Sequence, residues 1–280
     1  MCAATSRILG GSRPAPCAAL AEFAPAPPPS VPVLGIPLAL TDYAAVIEWI
    51  DATIAAGSQG TLTAAAVHLV MLAQERDDVR RAVLSATLVV PDGQPLVWAL
   101  RALGHASATR VYGPDLMALH CEHAARTGTP VFLYGGRNDA ALVELSVALR
   151  ARFPGLEIAG AQAEPFRELT PEEDATAAAQ INASGAQVVW VGTGQPRQEL
   201  WMARMRPALT APILIAVGAA FDFHAGLVRQ APPWMGRHGL EWTYRLAREP
   251  RRLWRRYARY NPRFVAAFAR EYAAQRRRSR

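Results

Sequence analysis

The chain has 280 residues, 51% of them hydrophobic, and a formal net charge of +7. That apolar fraction suffices for a sizeable core, and no uninterrupted apolar run approaches the ~18 residues of a membrane-crossing helix. The three cysteines (Cys2, Cys17 and Cys121) are scattered without disulfide or metal spacing, which fits a reducing compartment.

The charge is unevenly spread. Residues 241–280 hold 13 Arg against three acidic residues, a balance of +10 that leaves the rest of the chain near −3. Every basic residue is Arg, which together with the abundant Ala is read as GC-rich coding. The clustering is the informative part, and it points to nucleic acid, anionic lipid or a phosphate-bearing ligand.

Residues 1–30 are rich in Ala and Pro, ending Ala24-Pro25-Ala26-Pro27-Pro28-Pro29, and read as a disordered leader without a signal-peptide core. A folded domain is expected from 31 to 230. Helical spacing covers Tyr43–Ala56, Val67–Gln74, Leu96–Leu103, Leu116–Thr127, Asp139–Phe153 and Glu172–Ser184. Thr170-Pro171 supplies a cap and first helical residue for the last of these. Strand patterns cover Gly60–Ala64, Thr87–Val90, Pro130–Tyr134, Leu156–Gly160, Gln187–Val191 and Ile213–Val217. This alternation predicts an α/β fold: a Rossmann-like, mostly parallel sheet with helices on both faces. No internal repeat interrupts it.

The 187–206 stretch sets the pattern for function. An apolar strand breaks at Gly192-Thr193-Gly194-Gln195-Pro196 and restarts as a helix at Gln198-Glu199. Such a turn offers backbone N–H groups and a positive dipole end to a phosphate, although an ordinary β-to-α loop reads the same way. Asp92, Gly135-Gly136 and Asp222 also follow strands. Carboxyl ends of parallel strands are where open α/β sheets bind ligands, so these positions are expected to converge on one crevice.

Beyond Asp222 the chain passes a Pro-broken link, Ala231-Pro232-Pro233-Trp234, into an Arg- and aromatic-rich appendage over 231–280. Gly239–Tyr260 is expected to be helical and interrupted at Pro250, and Arg276-Arg277-Arg278-Ser279-Arg280 frayed and solvated. The interleaved Trp, Tyr and Arg suit either a solvated helix face or a membrane-surface element. Nucleic-acid binding is not expected, since the preceding domain is slightly acidic and carries no recognition motif.

Individual residues stay open on spacing alone. Asp92 in Pro91-Asp92-Gly93 reads as a turn aspartate or as a general base at a strand end. His120 and His123 share a helix face, but no third ligand follows, so no metal site is expected. There is no Gly-x-Gly-x-x-Gly, no P-loop and no Gly-x-Ser-x-Gly elbow.

Six ordered motifs then carry a resemblance. They are Pro91-Asp92-Gly93, Arg110-Val111-Tyr112-Gly113-Pro114-Asp115-Leu116, Phe132-Leu133-Tyr134-Gly135-Gly136, Val191 to Glu199, Gly218-Ala219-Ala220-Phe221-Asp222, and Gly239 to Leu246 with Glu249-Pro250-Arg251-Arg252. Over about Val33 to Phe264 the chain resembles the bacterial WecG/TagA/CpsF glycosyltransferases. Pro165-Phe166-Arg167 and Arg252 to Tyr257 are most similar to the exopolysaccharide branch, of the xanthan glucuronosyltransferase type.

The resemblance implies transfer of a sugar, of the hexuronic acid or N-acetylhexosamine class, from a UDP-sugar to a polyprenyl-diphosphate-linked saccharide. It further implies inversion without metal or cofactor, at the cytoplasmic face of the membrane, next to anionic lipid. Asp92 is then the acceptor-activating carboxylate, and Arg110 and Gln198 are substrate-site residues. Arg245, Arg252 and Arg255 match the arginines that close over the diphosphate. Thr63, Gly113, Gly135, Gly136, Gly194, Glu199 and Asp222 are expected to complete the UDP-sugar site. Three positions depart from the family pattern: Ala65 stands where an Asn is usual, removing an amide partner, Thr193 replaces a Leu in the glycine loop, and Arg197 replaces a Lys with charge kept. A homo-oligomer would give the tail a docking surface. A non-catalytic nucleotide-sugar-binding protein and a dinucleotide-dependent oxidoreductase are the alternative classes.

Overall fold

The computed structural model describes residues 24–278, apart from Phe166 and the side chains of Pro233, Arg237 and Arg252. Residues 1–23 of the expected leader, with Cys2 and Cys17, lie outside it. Regular structure begins with a two-residue-turn hairpin, β1 (Ser30–Val33) and β2 (Ile36–Ala39), followed by helix α1 (Tyr43–Ala55). The sheet strands are β3 (Gly60–Ala65), β4 (Leu88–Pro91), β5 (Val131–Gly135), β6 (Ile158–Gln162), β7 (Val188–Gly192) and β8 (Ile213–Ala216). They form one all-parallel sheet in the order β4-β3-β8-β7-β5-β6. The expected α/β class is therefore what the chain adopts.

Period-two alternation sorts each strand between two helix layers. Val188 and Trp190 face α1, α5 (Gly113–Thr127), α6 (Asp139–Arg152) and α9 (Ala220–His224). Val189 and Val191 face α7 (Pro171–Ala183) and α8 (Arg197–Met205). Val89 and Ala65 meet a further apolar cluster, built from the hairpin, α2 (Val67–Glu75), α3 (Asp77–Leu84) and α4 (Gln94–Ala102). Burial on both sides explains why these strands read as continuous apolar runs.

The C-terminal part forms α10 (Pro233–Arg237), α11 (Glu241–Arg248) and α12 (Pro250–Arg278). Pro250 separates α11 from α12 as expected and starts the second helix, where its missing N–H costs nothing. The expected fraying at Arg276 is corrected: α12 runs to Arg278, across Pro262. Aromatic rings four residues apart support it, with Phe264–Phe268 and Phe268–Tyr272 centroids both 6.1 Å apart and the Arg276 guanidinium 5.0 Å from the Tyr272 ring.

This helix docks on its own chain. Tyr260 and Phe264 enter the cluster under the hairpin and α2, and Glu75 of α2 takes Arg259 (2.9 Å) and Arg263. Leu34 holds a left-handed conformation (φ 50°) in the hairpin turn, unusual without an Asn or Gly. Its N–H donates to Glu271 (2.8 Å) and its carbonyl accepts from Gln74 (2.8 Å), so α12 and α2 together fix that turn. Phe264 is 4% exposed, and Phe264→Ala is expected to lower the unfolding free energy by about 3–5 kcal/mol in urea titrations. A loss below ~1 kcal/mol would mean that α12 packs loosely and folds independently of the sheet.

Candidate active site

The site begins where β4 ends. The Asp92 and Gly93 N–H groups donate to the Ala65 carbonyl (2.9 and 3.4 Å), and Val111 N–H donates to the Pro91 carbonyl (3.0 Å). The Pro-Asp-Gly turn is thus stapled between the end of β3 and the segment that leads into α5. Asp92 Oδ1 accepts from Gly113 N–H (2.7 Å), the first residue of α5, so the positive end of a 15-residue helix faces the carboxylate.

Arg110 bridges from this turn to the C-terminal part. Its Nε donates to the Asp92 backbone carbonyl, and its Nη2 donates to Glu241 Oε2 of α11 at 2.7 Å. Its guanidinium also lies 4.1 Å from the Tyr112 ring centroid, and the Tyr112 hydroxyl is close enough to Glu241 to feel its charge. Arg245 is one helical turn beyond Glu241, hence on the same face. It stands 5.7 Å from the Phe223 ring and close enough to Asp92, Tyr112 and Glu241 to feel their charge. Among the described residues its guanidinium has no hydrogen-bond or ion-pair partner.

Burial pushes the Asp92 carboxyl up to about 6, and Glu241 adds to the rise. The Arg110 guanidinium, the Gly113 N–H and Arg245 pull the other way and lose. Asp92 nonetheless keeps part of its surface open to a cavity of about 100 Å³, walled by His68, Trp242, Arg245, Tyr257 and Tyr260. A second cavity, of about 430 Å³, lies beside Tyr43, Arg101, Asp115 and Gln230. Arg110 and Glu241 line both.

Thr63, Gln198 and Glu199 form a separate, buried chain, each at most 1% exposed. Thr63 Oγ1 donates to Glu199 Oε1 (2.8 Å), and Gln198 Nε2 donates to the same oxygen (2.9 Å). Gln198 Oε1 accepts from Gly218 N–H at 3.0 Å. These side chains brace the turns after β7 and β8 and present no surface to a ligand. Burial raises the Glu199 carboxyl, against the hydrogen bonds from Gln198 and Thr63. Glu199 Oε2 has no partner among the described residues.

The remaining expected residues divide. Gly135 (φ 100°) turns the chain after β5, where a Cβ would stand 2.5 Å from Thr193. Gly136 and Gly194 lie in the same pair of turns, joined by Gly136 N–H to Gly192 carbonyl (3.2 Å). This group meets the Asp92 group through Gln195, whose Nε2 donates to the Ala64 carbonyl (2.8 Å). Asp222 pairs with Arg137 through two bonds (2.8 and 3.1 Å), away from the Asp92 cavity. Arg255 is exposed over the Trp254 ring (5.5 Å), and the Arg252 side chain lies outside the described residues. Sequence reasoning missed Glu241, Tyr112 and His68. The Gly-Leu-Glu-Trp motif contained Glu241, but no local signal paired it with Arg110. Among the described residues no three His, Cys, Asp or Glu side chains group as a metal site.

A parallel sheet whose carboxyl edge sets a buried carboxylate beside two guanidinium groups fits an enzyme of the group-transfer class. The chain matches the glycosyl transferase WecG/TagA/CpsF family over residues 31–278, which is most of its length, and it belongs to that family. It is a glycosyltransferase, using a nucleotide-sugar donor and an acceptor.

The raised Glu199 carboxyl has a consequence for stability. Above its ordinary value of 4.5 the unfolded chain releases a proton that the folded chain keeps, so wild-type stability falls as pH rises through that range. Glu199→Gln keeps the Oε1 acceptor without this penalty. Its melting temperature relative to wild type is expected to climb as pH rises above 4.5, and a pH-independent difference would show that Glu199 is ionised in the fold.

Proposed function

We propose that the enzyme transfers a hexuronic acid or N-acetylhexosamine from a UDP-sugar to a polyprenyl-diphosphate-linked saccharide, with inversion and without a metal. The observation that carries this reading is the Asp92 carboxylate facing Arg245, a guanidinium held inside the site with no protein partner among the described residues. An anionic diphosphate would satisfy it.

In this mechanism an acceptor hydroxyl oxygen attacks the anomeric carbon from the face opposite the diphosphate. The new C–O bond forms as the bond to UDP breaks, and the electron pair leaves on the diphosphate. The hydroxyl proton passes to Asp92, whose Oδ1 is occupied by Gly113 N–H, leaving Oδ2 to receive it. General-base help of this kind contributes about 10²–10⁴ in rate. Arg245 and Arg110 stabilise the charge that grows on the leaving group, a duty for which guanidinium suits phosphate geometry. The turns at Gly135, Gly136 and Gly194 are the expected seat of the nucleotide, and Arg252 and Arg255 would close over it.

The C-terminal part also supports contact with anionic lipid. Trp234, Trp242 and Trp254 are 52%, 40% and 52% exposed among arginines, and Trp242 stands at the mouth of the Asp92 cavity. No described helix is long and apolar enough to cross a membrane. An interfacial seat would bring a lipid-linked acceptor to Asp92.

Acceptor-dependent UDP release in EDTA, across a panel of UDP-sugars, tests the reaction. Asp92→Asn is expected to lose at least tenfold in turnover while remaining folded. Because the base must be ionised, wild-type kcat/KM should fall as pH drops through about 6. Retained turnover in the Asn variant would remove Asp92 from the base role. Replacing Trp234, Trp242 and Trp254 by Ala should weaken co-sedimentation with phosphatidylglycerol vesicles, and unchanged binding would exclude the membrane reading.

A further inference from the structure

An arginine next to a general-base carboxylate poses a chemical problem. The most stable arrangement of the two is a direct, often bidentate ion pair, which would occupy the oxygen that must accept a proton and lower its affinity for one. Here that pairing is not formed. Arg110 meets Asp92 only through the backbone carbonyl, by Nε, while its Nη2 is taken at 2.7 Å by Glu241, whose side chain is 14% exposed. Tyr112 places its ring under the guanidinium and its hydroxyl close enough to Glu241 to feel its charge.

We propose that Glu241 is a positioning residue: from α11 it holds Arg110 by Nη2, so that the guanidinium clamps the Asp92 backbone while staying off the Asp92 carboxylate. This rests on the reading of Asp92 as the base, and it adds a role for a residue outside the expected site. It also gives the docking of the C-terminal part a chemical consequence. Only when α11 is seated does Arg110 have a second anion to hold it, so the base is free only in the assembled site.

Every charged or titratable group around Asp92 bears on the test. Arg110 and Tyr112 face it from the segment before α5, and Glu241 and Arg245 from α11. His68 of α2 and Arg256, Tyr257 and Tyr260 of α12 share its cavity. Tyr43 of α1 and Asp115 of α5 bear on the far side of Arg110. Burial holds His68 neutral, its pKa lowered to about 4, so it contributes no charge above that pH. Of these groups Glu241 is the one whose removal frees a hydrogen-bonding arm of Arg110.

The experiment measures unfolding free energy against pH for four full-length proteins: wild type, Asp92→Asn, Glu241→Gln and the double variant. In the wild-type background the folded chain holds the Asp92 proton up to about pH 6, so stability is greatest below the unfolded value and falls as pH rises through 6. Asparagine at 92 should therefore gain relative to aspartate across pH 4–6. With Gln at 241 the freed Arg110 turns onto Asp92, and that gain should reverse, whereas loss of the Glu241 charge alone would only shrink it. In kinetics, Glu241→Gln should shift the acid limb of kcat/KM downwards by at least one pH unit and lower plateau kcat about tenfold. Glu241→Asp should restore part of both.

An unchanged titration window for residue 92 in the Gln background overturns the inference, whatever the activity. A gain that only shrinks, without reversing, also overturns it, since loss of the Glu241 charge alone accounts for that much. A change confined to KM, with window and kcat intact, also overturns it, because Glu241 would then act on substrate binding alone.

Discussion

The Arg110 guanidinium is the contact on which the rest of the site depends. It ties a turn 18 residues behind it in sequence to a helix 131 residues ahead. Arg110 and the three ionisable groups around it, Asp92, Glu241 and Arg245, sum to no net charge when all are ionised. Self-neutrality has a physical reason. A buried charge without a partner is expensive, so a site awaiting an anion must be neutral when empty and still have hydrogen-bonding capacity in reserve. Arg245 is that reserve: its charge is balanced by neighbours, while its guanidinium N–H groups are bonded to none of the described residues.

The geometry is held from a distance. Glu241 and Arg245 reach the sheet edge because α12 is anchored well away from them, through Tyr260 and Phe264 in the apolar cluster and through Glu75, Arg259 and Arg263 on its flank. Exposed ion pairs such as these contribute little individually. Apolar burial supplies the larger part of the docking energy, and the ion pairs fix the angle at which the helix lies. The hairpin takes part because Glu271 of α12 holds its strained turn. Hairpin, α2 and α12 therefore behave as one support for α11.

Much of the fold was legible because parallel strands buried on both faces cannot hide. Val131 to Gly135, Val188 to Gly192 and Ile213 to Ala216 are apolar runs that end at a glycine or shortly before one. The hairpin was missed because its turn is Leu34-Gly35, without the Asn-Gly that signals a tight reversal. The helix Asp77–Leu84 was missed since its two arginines and two aspartates mask a short apolar stripe of Val79, Ala82 and Val83. The length of α12 was hidden by Pro262 and by a run of arginines that composition alone reads as solvated. In the site, the Pro-Asp-Gly turn was visible as turn chemistry, yet nothing local distinguishes an aspartate buried against a helix N-terminus from an exposed one. The pairing of Glu241 with Arg110 was out of reach, because an ion pair spanning 131 residues leaves no periodicity in the chain.

The basic tail resolves into two populations with different physical duties. Arg245 is turned inwards among aromatic rings and carboxylates, where removal from water makes one positive charge count for far more than it would at the surface. Arg255, ten residues on, is exposed beside the exposed Trp254 ring. There a single charge is screened and acts only in number. A net balance of +10 over 241–280 therefore describes neither population alone. The inward arginine needs a definite position, which α11 and the Asp92–Arg110–Glu241 line provide. The outward ones need only density, which explains why composition detected them while the geometry of the site had to come from the fold.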